Sequence, residues 1–425
     1  MRAFQFALLF FGALHWIPAM AWGAHSFPTY RALERVPELT EAPTVAVEPL
    51  EAFLRSEEKT IEVLLASQEA WAMAQLAPIP ERPANLAFVA DPERSDEARK
   101  QAFLMALRMA PNSKFSLFFQ PDPWAGNPSG TAASLPITAI STSLDPVSGT
   151  PYRALGLRAG DWVAPLTVVA SASDEPDFGL DNFLWEDSPS EWGKVLGLGK
   201  IPYGSANVAS SSQEPFHTAY LRENALSYLA LPSLRWNFLL LRNYQFSTLA
   251  ALAFRTGHSY WGWRFAGMAL HYVQDLTQPL RASLLQGDSS LRLLGVGVLA
   301  SAGWRSVQQD YLAQLSVRLH AMERFEAELI QGTSSARRDS APVAIDKAIH
   351  NTDRDHTFPD WSDHYLRDIV APQTAALANR LGPLIQTKWP LEHTDADPLL
   401  LESLTNFGIH SRNAIRGILR SANTM

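Results

Sequence analysis

The stretch WGWRFAGMALHYVQDLTQPLRASLL, residues 261–285, decides how this chain folds. Its apolar residues recur at helical spacing and predict a buried helix over residues 258–276. His271 and Asp275 are four residues apart and therefore project from one face of that helix. Burying an imidazole and a carboxylate costs free energy unless a partner compensates it. Here the partner is either a metal ion or a hydrogen bond between the two side chains.

Helical spacing of apolar residues extends over most of the chain. Further helices are predicted at residues 22–36, 48–76, 93–110, 217–231, 234–255, 288–331, 362–381 and 397–419. Residues 111–216 differ, because loop-forming residues are frequent and the apolar runs are short, which predicts loops and a few short strands. Residues 332–358 form a polar break. The sequence therefore predicts a mainly α fold with a loop-and-short-strand insertion at about 111–216.

The composition is that of an ordinary globular protein. Hydrophobic residues make up 47% and charged residues 18% of the 425 residues. A chain of this length is expected to form two domains, or one large domain with insertions. Its formal charge of −8 gives no basic surface of the kind that binds duplex nucleic acid. The chain has no cysteine, so its fold needs no disulfide and is compatible with an oxidising compartment.

The N-terminus has the pattern of a signal peptide over residues 1–21. A positively charged residue precedes a short apolar run, and the sequence AMA at residues 19–21 is a small-x-small cleavage site. An uncleaved anchor helix is the alternative, but the run is short for a membrane span and contains a proline. We therefore expect a mature chain, residues 22–425, that begins at Trp22, lacks a transmembrane segment and is secreted or periplasmic.

Candidate metal ligands lie at several places in the mature chain. At its start, a free α-amino group and the carbonyl of Trp22 can chelate a metal, and His25 is near in sequence. Asp177, Asp181 and His217 precede the His271–Asp275 helix. This set resembles the zinc-dependent phospholipase C / S1-P1 nuclease superfamily. The strongest match is ALHYVQDLTQPLRAS, which is similar to the family's His-x-x-x-Asp helix followed by Gln-Pro.

The resemblance covers residues 22–36 and about 160–330 and implies one secreted helical-bundle domain over 22–425. By resemblance, the first zinc ion takes Asp177 or Asp181, with Asp181 slightly preferred, and His217, His271 and Asp275. The second zinc ion takes the amino and carbonyl groups of Trp22, His25 and the other oxygen of Asp275. Nitrogen and oxygen ligands of these kinds suit zinc.

The family's third zinc site is altered in this chain. Arg281 stands six residues after the helix aspartate, where the family has a histidine. Glu323 fits the later carboxylate ligand, but Leu319 stands four residues before it in place of a second histidine, and His320 is one position late. The resemblance therefore implies two zinc ions, with the third lost and an ion pair between Arg281 and Glu323. Arg281 then either binds a phosphate oxygen or forms a salt bridge that fills a lost metal site in a weakened or inactive protein.

The resemblance predicts a zinc-dependent phosphoric diester hydrolase of the phospholipase C type. Its substrate would be a phospholipid headgroup or another phosphodiester, reached by peripheral membrane contact. Asp177 or Asp181 would serve as ligand and general base, and Arg281 would stabilise phosphate charge. One alternative is a single-strand-specific nuclease of the same fold. The other is a non-catalytic binding protein, because the altered third site leaves activity open.

Two further groups of residues carry weaker predictions. Trp185 and Trp192 lie in the loop beside the aspartate pair and are candidate substrate contacts. His350, His356 and His364 lie in or next to the polar break with several aspartates. Such a group is either a second metal site or an ordinary solvated loop.

Overall fold

The structure, a computed structural model, has the mainly α fold that the sequence predicts. It describes residues 25–76, 78–122, 133–143, 153–284, 290–304, 307–308, 310–311, 322, 341–355, 363–387 and 393–424. The helices before the insertion are α1 (Ser26–Leu33), α2 (Pro37–Thr40), α3 (Leu50–Ser56), α4 (Glu58–Gln75) and α5 (Asp96–Ala106). Those from α6 onward are α6 (Pro165–Ala172), α7 (Ala209–His217), α8 (Ala225–Ala230), α9 (Phe238–Arg255), α10 (Ser259–Thr277), α11 (Pro279–Ala282) and α12 (Ser290–Ser301). The C-terminal helices are α13 (Ala341–Ile349), α14 (Asp363–Tyr365), α15 (Ala371–Thr387) and α16 (His393–Thr424), and a π-helical turn, Leu366–Val370, joins α14 to α15.

The strands form two small antiparallel sheets. The strands are β1 (Val45–Ala46), β2 (Phe118–Phe119), β3 (Ser134–Leu135), β4 (Ala154–Gly156) and β5 (Trp162–Val163). β1 pairs with β5, and β4 lies between β2 and β3. Four of these five strands fall within residues 111–216, as predicted for the insertion.

Helix α10 lies at the centre of the molecule. Its residues from Tyr260 to Thr277 are all buried, because α6, α9 and α16 pack around it. A helix that is apolar on nearly all sides is expected to be surrounded in this way. The main hydrophobic core reaches from Ala32 in α1 to Ile418 in α16. The predicted helix over 258–276 is thus confirmed within one residue at each end.

Two helices occur where the sequence predicts loops and strands. α6 has the sequence PLTVVASA, which is short and partly β-branched, but Pro165 suits its first turn and its apolar face packs on α10. α7 is rich in serine, contains Pro215 and ends at His217. The predicted helix over 217–231 is therefore wrong in its start, since the chain is helical again only in α8.

A third unpredicted helix is α13, which lies inside the polar break predicted at 332–358. Its sequence, APVAIDKAI, is short, and its apolar residues find their partners on α16 and α1 rather than on neighbouring residues in sequence. The helices predicted at 362–381 and 397–419 correspond to α14–α15 and α16. Over the residues described above, no helix is both long and apolar enough to span a bilayer.

Candidate metal centre

Helix α10 presents His271 and Asp275 on one buried face. Their i, i+4 spacing brings His271 Nε2 to 3.2 Å from Asp275 Oδ2. Both side chains are fully buried. The opposite ring nitrogen, Nδ1 of His271, lies 2.7 Å from the backbone carbonyl of Ser173, just after α6. A carbonyl oxygen can only accept, so Nδ1 carries the proton and Nε2 points its lone pair at the site.

His217 joins this pair from the end of α7. Its Nδ1 lies 2.8 Å from Asp275 Oδ2 and 2.9 Å from His271 Nε2. The chain just after His217 is fixed because the amide of Ala219 donates to the carbonyl of Arg281 at 2.9 Å. The end of α7 is thereby positioned against the segment that follows α10. Three side chains from two helices thus meet at one buried point.

Asp177 lies on a 3-10 turn whose two ends are anchored. Asp174, before the turn, accepts a hydrogen bond from the backbone amide of Ser26 at 3.1 Å. Glu175, within it, makes a two-bond ion pair with Arg264 at 2.7 and 2.8 Å. Gly179 ends the turn with φ +100°, which a side chain would adopt only with strain. The turn holds Asp177 Oδ1 3.8 Å from His271 Nε2 and 3.9 Å from His217 Nδ1.

His217, His271 and Asp275 each present an atom within 3.2 Å of the other two, and Asp177 Oδ1 lies 3.8–3.9 Å from the two nitrogens, which is compact enough for metal ligands. Their five measured separations run from 2.8 to 3.9 Å. Zinc ligands about 2.0–2.1 Å from a tetrahedral ion are about 3.3 Å from one another. The observed separations bracket that value. The set of two imidazoles and two carboxylates also matches the donors that zinc accepts.

A second group forms on the other side of Asp275. His25 Nε2 lies 3.6 Å from Asp275 Oδ1, whereas the first group contacts Oδ2. The His25 and His271 rings are 4.0 Å apart between centroids. Asp275 therefore turns one oxygen toward each group, as a carboxylate does when it bridges two metal ions. Trp22, the remaining predicted ligand residue of this group, lies outside the described residues.

Several atoms of the two groups are buried without a hydrogen-bond partner in the described structure. They are His25 Nε2, Asp177 Oδ1, His217 Nε2 and Asp275 Oδ1. Buried polar atoms nearly always have a partner, so unpaired ones require an explanation. Three of the four face the shared centre, and a bound cation would satisfy them. The clusters formed by His25, Asp177, His271 and by His217, His271, Asp275 are accordingly candidate metal sites.

Gln274 holds His25 in place and was missed by the sequence analysis. Its Oε1 lies 2.9 Å from His25 Nδ1, and its Nε2 donates to Thr29 Oγ1 at 2.7 Å and to Ser411 Oγ at 3.1 Å. His25 Nδ1 therefore carries the proton and leaves Nε2 to face the site. Gln274 precedes Asp275 by one residue, and its spacing gave no signal of this role. The contact of Ser411, on α16, with Gln274 could not be predicted either, because the two residues are more than a hundred positions apart in sequence.

Asp181, the slightly preferred ligand, is held away from the centre. Its Oδ1 accepts two hydrogen bonds from Arg242 at 2.8 and 2.6 Å, and its Oδ2 accepts one from Tyr272 at 2.9 Å. The geometry favours Asp177 as the ligand instead. Asp181 Oδ2 lies 4.0 Å from the outer nitrogen of His217, Nε2. That distance is too long for a hydrogen bond, so Asp181 does not orient the His217 ring.

Arg281 lies beside the centre and is itself buried. Its Nε is 3.5 Å from Asp275 Oδ1, and its Nη1 donates to the carbonyl of His217 at 3.2 Å. Burial by itself would raise the pKa of Asp275, but the positive charge of Arg281 opposes this, as does the hydrogen bond from His217. The pKa of Asp275 consequently lies well below the usual range. Glu323, Leu319 and His320 lie outside the described residues, so the predicted ion pair of Arg281 with Glu323 stays a prediction.

The tryptophan predicted to contact substrate, Trp185, belongs to the core. It is fully buried, donates from its indole nitrogen to the carbonyl of Ser212 at 2.7 Å and packs against Phe216 and Phe238. Trp192 is partly buried against the same core. The prediction for Trp185 is therefore wrong, because a loop residue can still be directed inward by the helix that follows it.

A separate cluster joins α1 to α13. His350 Nε2 lies 3.0 Å from Glu34 Oε1, and its Nδ1 lies 2.9 Å from Asp346 Oδ1. Arg31 already pairs with Glu34 at 2.6 Å, and Arg35 pairs with Asp346 at 3.3 Å. Since each carboxylate already has a cation, this cluster is better described as an ion-pair network than as a metal site. His356, which the sequence also offers for this second site, lies outside the described residues.

Comparison with family models, with curated proteins and with solved structures returned no match for this chain.

Proposed function

We propose that this chain is a secreted, zinc-dependent hydrolase of phosphodiester bonds, of the phospholipase C type. The observation that carries the proposal is the buried group of His217, His271 and Asp275, whose facing atoms lie 2.8–3.2 Å apart, with Asp177 3.8 Å from His271. The orientation of His25 toward the second oxygen of Asp275 supports a paired centre. The resemblance of the His271–Asp275 segment to the phospholipase C / S1-P1 nuclease family supplies the reaction class.

The residues present would hold zinc in two groups that share Asp275. His217, His271, Asp177 and Asp275 would hold one ion, and His25 with the other oxygen of Asp275 would hold part of the second. When bound, such ions polarise a phosphoryl oxygen and lower the pKa of water. The protein's own contribution is to orient His271 through the Ser173 carbonyl and His25 through Gln274, so that the inner nitrogen of each ring faces the site.

Asp177 is the natural acceptor for the proton of the attacking water. Its side chain is 19% exposed, whereas those of His25, His217, His271 and Asp275 are at most 1% exposed. Solvent and substrate therefore approach the centre from the side of Asp177. An ionised carboxylate at that opening can orient water and take up its proton as the new bond to phosphorus forms.

Hydrolysis by the zinc-loaded protein tests the proposal. Phosphatidylcholine vesicles, a single-stranded oligonucleotide and a chromogenic phosphodiester are offered in turn to the parent chain and to Asp275→Asn. The parent is expected to cleave a phosphodiester, and Asp275→Asn is expected to lose at least about a hundredfold in rate. His258→Gln is the matched control, since His258 begins the same helix but pairs with Glu48 at 2.9 Å, away from the centre. Equal rates for parent and Asp275→Asn, or no cleavage by either, would contradict the proposal.

A second candidate, a non-catalytic binding protein, is favoured by Arg281 alone. The guanidinium contacts Asp275 and the His217 carbonyl, so its charge offsets that of the Asp275 carboxylate. Arg281→His distinguishes the candidates. Activity that appears only in this variant would indicate a degenerate site, whereas activity in the parent that falls in Arg281→Met would indicate a working arginine. The nuclease alternative has less support, because Trp185, predicted to contact the substrate, is buried and cannot stack on a base.

A further inference from the structure

Three buried polar residues join the start of α1 to the turn that carries Asp177. Asp174 accepts a hydrogen bond from the backbone amide of Ser26 at 3.1 Å and another from Nε2 of Gln120 at 2.9 Å. The hydroxyl of Ser26 donates to Oε1 of Gln120 at 3.2 Å and closes a ring of hydrogen bonds. Asp174, Ser26 and Gln120 are all buried and are called the polar ring below. Because their polar groups are paired with one another, the polar ring fixes the distance between α1 and the turn.

Gln120 is held by its backbone as well as by its side chain. It directly follows β2, in the insertion. Its amide donates to the hydroxyl of Ser171 on α6 at 2.8 Å, and its carbonyl accepts from the hydroxyl of Tyr30 on α1 at 2.6 Å. With its side-chain amide bonded on both sides, Gln120 uses all four of its polar groups. It thereby connects the insertion to α1, to α6 and to the turn.

The start of α1 depends on the polar ring, because the helix is capped from another element. His25 lies directly before Ser26, the first helical residue, but its side chain bonds to Gln274 and does not cap the helix. The amide of Ser26 is one of the donors that a helix leaves without an internal partner at its start, and Asp174 accepts from it. Asp174 therefore places the backbone of His25, whereas Gln274 orients its ring.

The insertion also contacts the turn itself. Phe178 belongs to a small hydrophobic core of the sheet of β2, β4 and β3, which it forms with Phe118, Ile140 and Ala154. The carbonyl of Phe178 accepts from the amide of Thr142 at 2.9 Å. Within the turn, the amide of Asp177 donates to the carbonyl of Asp174 at 3.1 Å. Ligands of both groups of the candidate centre are therefore positioned against the insertion.

The turn has a further anchor that does not involve the polar ring. Glu175, inside the turn, pairs with Arg264 of α10 through two hydrogen bonds of 2.7 and 2.8 Å. This ion pair fixes the turn directly to the helix that carries His271. The start of α1, by contrast, meets the turn through the polar ring. Loss of the polar ring is therefore expected to displace His25 further than Asp177.

We propose that Gln120, acting through Asp174, positions His25, so that the insertion controls the second group of the candidate centre. This role rests on the paired centre of the proposed function. Gln120 lies outside the residues that the family resemblance covers, so the resemblance does not imply the role. Removal of the Gln120 amide weakens zinc binding by the group that contains His25, while the group that contains His217 keeps its ion.

Zinc binding by Gln120→Leu tests the positioning. The variant, the parent and Gln68→Leu are produced from Met1 without an N-terminal tag, loaded with zinc and dialysed. Zinc content is measured by mass spectrometry, and zinc affinity by competition with a chromophoric chelator. We expect about two zinc ions in the parent and in Gln68→Leu but about one in Gln120→Leu, whose second ion binds at least about tenfold more weakly. Gln68→Leu is the matched control, since Gln68 is also a buried glutamine but bonds to Gln245 and Thr248.

Two further variants separate positioning from a general loss of packing. The exchange Gln120→Glu/Asp174→Asn keeps a donor and an acceptor facing each other, because the introduced amide donates to the introduced carboxylate. This exchange should retain about two zinc ions. Ser26→Ala removes the hydroxyl from the polar ring and keeps a good helix former at the start of α1. It should weaken the second ion about two- to tenfold, and it decides the matter if Gln120→Leu does not fold.

Three results would overturn the positioning. They are parent-like zinc content and affinity in Gln120→Leu, an equal loss in Gln68→Leu, and the loss of the second ion in the exchange variant. Parent-like affinity in Ser26→Ala would do the same where Gln120→Leu does not fold. A parent that holds zinc but cleaves no phosphodiester would remove only the proposed reaction. A parent that holds no zinc would remove the centre and the positioning together.

Discussion

At the residue scale, single contacts fix the position of the ring proton in two histidines of the centre. The carbonyl of Ser173 and the amide oxygen of Gln274 each accept a hydrogen bond from an outer ring nitrogen, those of His271 and His25. In the neutral form of both rings, the inner nitrogens carry lone pairs that face Asp275. The arrangement is stable when a cation occupies the space between them, since facing lone pairs otherwise repel.

Gln274 is predicted to control zinc affinity. Gln274→Leu removes the acceptor for His25 Nδ1, so His25 can protonate its inner nitrogen and rotate. We expect zinc to bind about ten- to a hundredfold more weakly, measured by competition with a chromophoric chelator. Gln68→Leu is the matched control, because Gln68 is also a buried glutamine but bonds to Gln245 and Thr248. Equal zinc affinity in the two variants would contradict the role assigned to Gln274.

His410 is predicted to make stability depend on pH. Burial, together with Arg354 and Arg412, lowers its pKa from 6.5 to about 3. Below pH 6.5 the unfolded chain binds a proton at this residue that the folded chain does not, so stability falls as the pH drops. The contribution is about 1.4 kcal/mol per pH unit. In urea unfolding between pH 6.5 and 5, His410→Gln should lose about 2 kcal/mol less than the parent. Parallel losses in parent and variant would contradict this.

The sequence predicts the residues of the centre better than their roles. His271 and Asp275 follow from helical spacing, because both belong to one element. The choice between Asp177 and Asp181 does not, because it depends on Arg242 and Tyr272, which approach from α9 and α10. Ser173 contacts His271 through its backbone carbonyl. Every residue has such a carbonyl, so the residue type does not indicate this contact.

At the element scale, the centre depends on a close crossing of α6 and α10. A Cβ added to Gly267 would lie 2.5 Å from the carbonyl oxygen of Val169 and 2.7 Å from Cβ of Ala172. Because Ser173 follows α6 directly, this crossing sets the distance from its carbonyl to His271. The following turn, which carries Asp177, is placed by the same crossing.

Gly267→Ala is therefore predicted to damage both stability and metal binding. The added methyl group meets backbone and must push α6 away, at a cost of about 1–3 kcal/mol in the free energy of unfolding. Zinc affinity should fall with it, because the Ser173 carbonyl moves. Gly295→Ala on α12 meets nothing within 4 Å and should leave zinc affinity unchanged and stability equal or up to about 1 kcal/mol higher. Equal changes in the free energy of unfolding and in zinc affinity in Gly267→Ala and Gly295→Ala would contradict the role assigned to this crossing.

The elements themselves are predicted from sequence to different degrees. α9 and α10 are long and strongly periodic, and the predicted spans lie within about four residues of the observed ones. α6, α7 and α13 have 8, 9 and 9 residues and were assigned to loops or a polar break. Helices this short are made by tertiary packing, since isolated segments of that length are marginal in water.

At the scale of the whole molecule, the candidate metal centre brings together segments that are far apart in the sequence. His25 is at the start of α1, Asp177 follows α6, His217 ends α7 and His271 and Asp275 belong to α10. Ser411 of the C-terminal helix α16 bonds to Gln274 behind them. Ligands so far apart in sequence come together only in the folded chain. Zinc should therefore stabilise the fold, because it binds the native state and not the unfolded chain.

The most direct test of the paired centre is the zinc content of the chain, measured by mass spectrometry on protein produced from Met1 without an N-terminal tag. A tag before Trp22 would occupy the amino group proposed as a ligand. After dialysis against zinc and then against zinc-free buffer without chelator, we predict about two zinc ions per parent chain and a clear loss in His271→Ala. A parent chain that retains no zinc, or retains as much as His271→Ala does, would contradict the account.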